Sequence, residues 1–360
     1  MTKSDYMKLA VEEAKKGIGF VSPNPLVGAV IVKNGKIISS DYHHKYGEFH
    51  AERNAINKCS EGLQGAEIYV TLEPCCHYGK TPPCTEAIIN SGIKKVYIGS
   101  DDPNPLVAGK GVEVLKSHGI EVETNVLKEE CDKLNEIFFH YITHRTPFVT
   151  MKYAMTADGK IACHTGESKW ITGEKSRNHV HFNRMKHTGI MVGAGTILKD
   201  DPMLNCRIEN GRNPIRIICD SKLRIPINCN IIKTANEIPT IAACLEGTEN
   251  ADLFRKKGVQ IIYTSEKNGH IDLNDLMKKL GAMNIDSILL EGGGTLNYSA
   301  LEAGIVNKIQ AYIAPKIFGG KSSKTPVEGT GVTVPSEAFM LSQPEITIID
   351  DDILLEWRVK

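Results

Sequence analysis

Three short segments within the first ninety residues carry side chains that can do chemistry together. They are His50-Ala51-Glu52, Pro74-Cys75, and Cys84 at the end of Gly79-Lys80-Thr81-Pro82-Pro83-Cys84. One imidazole and two thiolates, from His50, Cys75 and Cys84, make a three-ligand set for Zn2+, which takes nitrogen and sulfur in tetrahedral geometry and keeps a fourth position for water. Zinc lowers the pKa of that water, which makes a nucleophile available near neutral pH. Glu52 lies two residues from His50, so it can stand beside the metal without binding it and carry protons. This inventory suits hydrolysis of an amino group on a nucleobase-like ring. The same donors also suit a structural zinc site, and Cys76 is a rival thiol next to Cys75.

These side chains need a scaffold, and the patterning supplies one. Residues 4–17 read as an amphipathic helix without a secretory apolar core. Asn24-Pro25 precedes the strand LVGAVIVK, and Asn34-Gly35 turns it into KIISS. Helical spacing over 49–59 places Ala51, Ala55 and Ile56 inward. The strand AEIYVTLEP, the helix CTEAIINSG and the strand KKVYIGS follow, running into Asp101-Asp102-Pro103-Asn104-Pro105. EVLKSHG, IEVE and one long helix over about 127–142 complete an α/β domain of three layers, α/β/α. Thr146-Pro147 marks a boundary between domains 1–146 and 147–360. In the second domain a helix is expected over about 174–186, and helical stretches near 250–257 and 272–281. Strands are expected at FVTMKYAMT, TGIMVG, IRIICD, PTIAAC, VQIIYT and DSILLE, with a closing antiparallel hairpin at ITIIDDDILLEWRVK. A second α/β fold with a mixed sheet accounts for them.

Bulk composition narrows the partners. Lys plus Arg, 43, equals Asp plus Glu, 43, and no basic stripe stands out, so nucleic acid is not expected. The longest apolar runs, Gly28–Val32 and Ile285–Leu290, are strand-sized, so no membrane partner is expected and the cytoplasm is the expected location. Ten cysteines in 360 residues are no disulfide scaffold, and Cys163, Cys219 and Cys244 sit in or beside apolar segments as buried thiols do.

Two glycine-rich turns follow apolar strands, Gly193-Ala194-Gly195-Thr196 and Glu291-Gly292-Gly293-Gly294-Thr295. Each can offer backbone N–H groups to phosphates at a helix start, although neither is GxGxxG. The eight-residue insert CHYGKTPP between Cys75 and Cys84, with MKYAMTADGKIA, WIT, GAGTILKDDPML and EGGG, resembles the bifunctional deaminase–reductase family of riboflavin biosynthesis over essentially the whole chain. The resemblance implies a cytidine-deaminase-like domain with one Zn2+ per site, then a dihydrofolate-reductase-like domain using NADPH. It implies that Asn24, His43, His77 and Lys80 contact the pyrimidine or its ribose phosphate, and that Asp101 holds the ring or its amino group. In the second domain it implies Lys152, Ser168, Arg184, Asp201, Leu204, Arg207 and Glu291 for substrate. For the cofactor it implies Ala154, Trp170, Thr172, Thr196, Asp200, Ser221, Gly292, Gly293 and Gly294.

The implied substrate is 2,5-diamino-6-ribosylamino-4(3H)-pyrimidinone 5′-phosphate. It would lose ammonia from C2 with Glu52 moving protons, and then be reduced at C1′ to 5-amino-6-ribitylamino-uracil 5′-phosphate. Lys152, Asp200 and solvent are rival proton donors for the second step. Deaminase-like domains commonly assemble, so a homodimer or homotetramer is expected. The residues alone leave open a tRNA or nucleoside deaminase with an unrelated C-terminal region, a chain with one working activity, and a zinc-stabilised binding protein.

Overall fold

At Gly28 any side chain would run into the backbone of Ala10, and this close approach lays the first helix on the first sheet. The computed structural model describes all 360 residues, which divide into two units, Met1–Arg145 and Thr146–Lys360. The first runs α1 (Lys3–Lys15), β1 (Gly28–Lys33), β2 (Lys36–Tyr42), α2 (Ala51–Lys58), β3 (Glu67–Leu72) and α3 (Cys84–Ser91). It continues through β4 (Lys95–Ser100), α4 (Lys110–Ser117), β5 (Glu121–Glu123), α5 (Lys128–Leu134) and α6 (Glu136–His144). Its sheet has the order β2-β1-β3-β4-β5, antiparallel on either side of β1 and parallel from β3 to β5.

Alternation along β1 produces the layers, because successive side chains point to opposite faces. Ala29 and Ile31 join Ala51 and Ala55 of α2 and Ile88 of α3, whereas Val30 and Val32 join Met7 and Ala10 of α1. The single long helix expected over 127–142 is instead two helices broken at Asn135. The buried Asn135 amide accepts from Leu26 N at 2.8 Å and donates to Leu26 O at 2.9 Å. It spends its side chain on fixing the loop that carries Asn24.

The second unit begins β6 (Phe148–Thr156), α7 (Glu174–Lys186), β7 (Gly189–Gly193), α8 (Ala194–Asp200), β8 (Ile215–Cys219) and α9 (Asn230–Lys233). Next come β9 (Thr240–Leu245), α10 (Ala251–Lys256), β10 (Gln260–Thr264), β11 (Glu266–Lys267), β12 (His270–Ile271) and α11 (Leu273–Ala282). It ends with β13 (Ser287–Leu290), α12 (Gly294–Glu302), β14 (Val306–Ala314), β15 (Glu345–Ile349) and β16 (Asp352–Arg358). The sheet order is β10-β9-β8-β7-β13-β6-β14-β16-β15, parallel as far as β14 and closed by the antiparallel β15–β16 hairpin. Met191 and Ile217 pack beneath Leu276, Leu280 and Ala300, and Ile190 and Ile218 pack beneath Ile197, Ile231 and Phe254. With both faces covered, the carboxyl ends of the parallel strands are where an open α/β sheet takes ligands.

At the opposite end of the sheet one buried cation ties the amino-terminal ends of β8 and β9 together. Arg216 is 0% exposed, and its guanidinium donates to the hydroxyls of Thr240 and Thr234 and to the carbonyls of Ile231, Ile238 and Met203. Five donors matched to fixed dipoles let the charge stay dry. Arg216→Met would strip these acceptors of their donor. We expect a loss of roughly 4 kcal/mol in the stability of this unit, read by urea unfolding. A loss below about 1 kcal/mol would contradict this account of the residue.

Candidate functional site

In the first unit His50 is the residue that caps the N-terminus of α2, and Cys84 is the first residue of α3. Both helices therefore aim their positive ends at one point, which favours thiolate and metal-bound anions. The ligand atoms of His50, Cys75 and Cys84 all lie within 4.8 Å of one another. His50 Nδ1 stands 3.5 Å from Cys75 Sγ and 3.4 Å from Cys84 Sγ, and the Cys84 backbone N–H donates to Cys75 Sγ at 3.4 Å. The hydrogen bond from the Cys84 thiol, together with His50, pulls Cys75 toward the thiolate despite its burial. The set fits a zinc ion in number, softness and spacing. Cys76 lies outside it, its thiol turned to the Leu106 carbonyl at 3.9 Å.

Glu52 occupies the first turn of α2, 3% exposed, and its Oε2 has no hydrogen-bond partner. Burial raises its pKa, with His50 pulling the other way. A buried carboxyl with a raised pKa suits proton transfer.

The remaining predicted residues of this unit separate into those that face a ligand and those already engaged. Lys80 is exposed, with its ammonium 3.9 Å from the centroid of the Tyr46 ring and free to meet a phosphate. His77 keeps a buried Nδ1 without a partner. His43, expected to contact the substrate, has both ring nitrogens engaged within the protein. It is 2% exposed, its Nδ1 meets Phe49 O at 3.0 Å and its Nε2 meets Asn24 Nδ2 at 3.1 Å, so neither ring nitrogen is left over. Burial pushes its imidazole down to about 4. It holds Asn24 in place and sets its ring edge-on to that of His50, 5.2 Å between centroids. Asp101, expected to hold the ring or its amino group, is exposed, and its neighbour Asp102 is the buried carboxyl. Asp102 takes the Asn104 N–H at 2.8 Å, and burial, reinforced by Glu73 and Cys75, lifts it to about 6.

In the second unit the two glycine turns come together because β7 and β13 are neighbours. A side chain at Gly193 would meet Leu296, one at Gly293 would approach the Thr196 hydroxyl, and one at Gly294 would strike Glu328 and the Thr325 carbonyl. Gly293 is the capping residue of α12, whose first-turn N–H groups have no helical acceptor. Adjoining glycine turns with bare N–H groups fit the phosphates of a dinucleotide.

Beside them lies an ion cluster. Arg184 grips Glu291 with two hydrogen bonds, Nε to Oε1 at 2.8 Å and Nη2 to Oε2 at 3.0 Å, and Lys152 Nζ lies 3.9 Å from Glu291 Oε2. Burial pushes the Lys152 ammonium down while Glu291 holds it up. Glu291 and Arg184 thus pair with each other beside Lys152, and Arg207 is exposed. Three other residues named for substrate or cofactor make contacts within the protein. Asp201 commits Oδ1 to the Asn230 N–H at 2.7 Å and anchors α9. Leu204 buries its side chain against the core with φ of 50°, leaving only main chain for a ligand. The Ser221 hydroxyl takes the Ile271 N–H at 3.2 Å.

Ala154 packs against Val180, Tyr312 and Leu354. Trp170 is 60% exposed beneath the Arg177 guanidinium, 4.8 Å from its ring centroid, so it is no core residue. Arg177 also donates to the Thr172 carbonyl at 2.7 Å. Ser168 and Thr196 are half-buried, and Asp200 is exposed at the end of α8.

The family model of the cytidine and deoxycytidylate deaminase zinc-binding region matches residues 1–100, and that of the RibD C-terminal domain matches 147–355. The fold and these matches define a fused deaminase and reductase. The chain is 54% identical to riboflavin biosynthesis protein RibD of Actinobacillus pleuropneumoniae over 100% of its length and 96% of that protein's. The chain belongs to the RibD family of riboflavin biosynthesis. A solved diaminohydroxyphosphoribosylaminopyrimidine deaminase/5-amino-6-(5-phosphoribosylamino)uracil reductase from Thermotoga maritima is 41% identical, with TM-score 0.88 over 99% of both chains. A RibD structure from Acinetobacter baumannii is 34% identical with TM-score 0.89 over 99% of both. The second domain is thus no unrelated appendage, and no helix is long and apolar enough to cross a membrane.

Proposed function

We propose that the first unit deaminates 2,5-diamino-6-ribosylamino-4(3H)-pyrimidinone 5′-phosphate and that the second reduces the product with NADPH to 5-amino-6-ribitylamino-uracil 5′-phosphate. The observation that carries the reading is the partnerless, buried Glu52 beside the His50, Cys75 and Cys84 donors. Those three side chains would hold one Zn2+, whose Lewis acidity activates water. Glu52 takes a proton and returns it to the ring and the departing amine. Lys80 answers the substrate phosphate as a point charge, and the Asn24 amide meets the pyrimidine.

In the second unit the nicotinamide supplies the hydride. The Gly292–Gly294 turn and Thr196 would take the cofactor phosphates, with Trp170 on the rim of the cleft. Of the rival proton donors, Lys152 is supported by its burial beside Glu291, whereas Asp200 stands exposed on the end of a helix. Arg207 is the cation available for the phosphate. Ten free cysteines fit a reducing compartment such as the cytoplasm. A homodimer or homotetramer remains the expected assembly, to be measured by sedimentation.

Mass analysis of products made from the phosphorylated diaminopyrimidine tests the whole reading. Ammonia loss without NADPH, followed by gain of two hydrogens when NADPH is added, is expected. Chelation of zinc should abolish the first step and spare reduction of the deaminated compound. A zinc-loaded protein that leaves this substrate untouched would refute the assignment.

A further inference from the structure

The stretch Trp170-Ile171-Thr172-Gly173 is neither strand nor helix, yet four successive main-chain groups along it are each met by a charged side chain. Lys316 Nζ donates to the Trp170 carbonyl at 2.9 Å and to the Ile171 carbonyl at 2.6 Å. Arg177 Nη1 donates to the Thr172 carbonyl at 2.7 Å. The Gly173 N–H donates to Asp352 Oδ2 at 2.8 Å, and the Ser176 hydroxyl donates to the same oxygen at 2.6 Å. Arg177 is local, part of α7. Lys316 and Asp352 come from far along the chain, just past the end of β14 and at the start of β16. Gly173 caps α7 without a side chain, and Asp352, 3% exposed, brings a carboxylate to that positive helix start.

The stretch belongs to the edge where the sheet takes ligands. β6 and β14 run parallel and side by side up to Thr156 and Ala314, so the loops that follow them leave the sheet together at its carboxyl end. The Ala157 N–H donates to the Lys316 carbonyl and the Ile161 N–H to the Lys324 carbonyl, both at 2.9 Å. These loops reach the two helices that the glycine turns open. A side chain at Gly294, on α12, would strike the Thr325 carbonyl, and one at Gly166 would approach the Lys199 ammonium on α8. An irregular segment that is ordered only by its ligand weakens the binding, whereas one held beforehand does not. The geometry points to Lys316 and Asp352 as positioning residues for the dinucleotide. They hold the Trp170–Gly173 stretch in its binding shape before NADPH arrives, and act through it rather than on the cofactor. The inference rests on the reductase reading above.

Lys316→Met and Asp352→Ala should each weaken NADPH by about tenfold, both in Kd from titration calorimetry and in KM for NADPH. Turnover at saturating NADPH and KM for the deaminated pyrimidine should stay near wild type. Lys316→Arg and Asp352→Asn, which keep a donor and an acceptor, should recover part of the affinity. In the cofactor-free variants, amide hydrogen exchange should quicken over residues 170–176. Lys316 is exposed, so its replacement leaves the core intact, and it carries the test alone if Asp352→Ala fails to fold. Thermal melting and ammonia release report folding. An unchanged Kd for NADPH in Lys316→Met overturns the proposal, whatever the exchange shows, and so does a fall in kcat with KM for NADPH unmoved. A wild type that releases ammonia yet neither binds nor oxidises NADPH would instead sink the reductase reading and this inference with it.

Discussion

Glu52→Gln is expected to lower deamination by about a thousandfold while zinc content and the reductase step stay at wild-type levels. The side chain is isosteric, and Glu52 is not one of the three clustered donors, so the variant loses a titratable oxygen and nothing else. The oxygen lost is buried, has no partner in the protein, and sits on the same helical turn as His50. Burial, aided by the charge on Cys75 and opposed by His50, raises its pKa, which places its proton exchange nearer to working pH than that of a surface glutamate. Ammonia release, zinc stoichiometry and NADPH oxidation measured on one preparation decide the matter. Deamination within tenfold of wild type would remove Glu52 from the proton path and favour a zinc-stabilised binding role.

The second large effect is expected at Glu291. Burial would raise its carboxyl, but the Arg184 guanidinium and the Lys152 ammonium overcome that and hold it at about 2, against 4.5 for the free side chain. A folded-state pKa below the unfolded one adds stability that is fully present above about 4.5 and disappears as pH falls toward 2. The shift corresponds to on the order of 3 kcal/mol. Glu291→Gln should therefore lower the stability of the second unit by about 3 kcal/mol at neutral pH and flatten its dependence below 4.5. Reduction should fall by about a hundredfold, because Lys152 loses the charge that keeps it protonated. Urea unfolding at several pH values, with NADPH oxidation, tests both halves. A variant as stable as wild type at neutral pH but with the same acid slope would place the linkage on another carboxyl.

The zinc donors and their helices were legible in the sequence because a short motif and the start of a helix coincide at His50 and at Cys84. The strands were legible for the same kind of reason: each is a run of apolar residues bounded by turns. What escaped the sequence was commitment of polar groups across the fold. Nothing in the pattern around Asn135 reveals that its amide binds Leu26, and a continuous helix was the natural reading. Asp101 and Asp102 are identical in type and adjacent, and only burial separates them. Arg184 and Glu291 lie 107 residues apart, so their mutual neutralisation was invisible, as was the hold of Lys316 on Trp170 and Ile171. The small β11–β12 hairpin did carry a signal, Asn268-Gly269, that went unused.

The bonds of His43 have a consequence for what the first site can admit. The Phe49 carbonyl can only accept, so Nδ1 must bear the hydrogen, and a ring kept neutral then has a bare lone pair at Nε2. That lone pair demands the nitrogen of the Asn24 amide, which forbids the amide from turning over. Oδ1 is thereby fixed as an acceptor, with the second N–H of the amide beside it. The amide thus has a fixed sense: a ring N–H is welcomed at Oδ1, and a ring carbonyl only at the remaining N–H. A peptide oxygen at residue 49, two links away, sets the polarity of a contact it never makes.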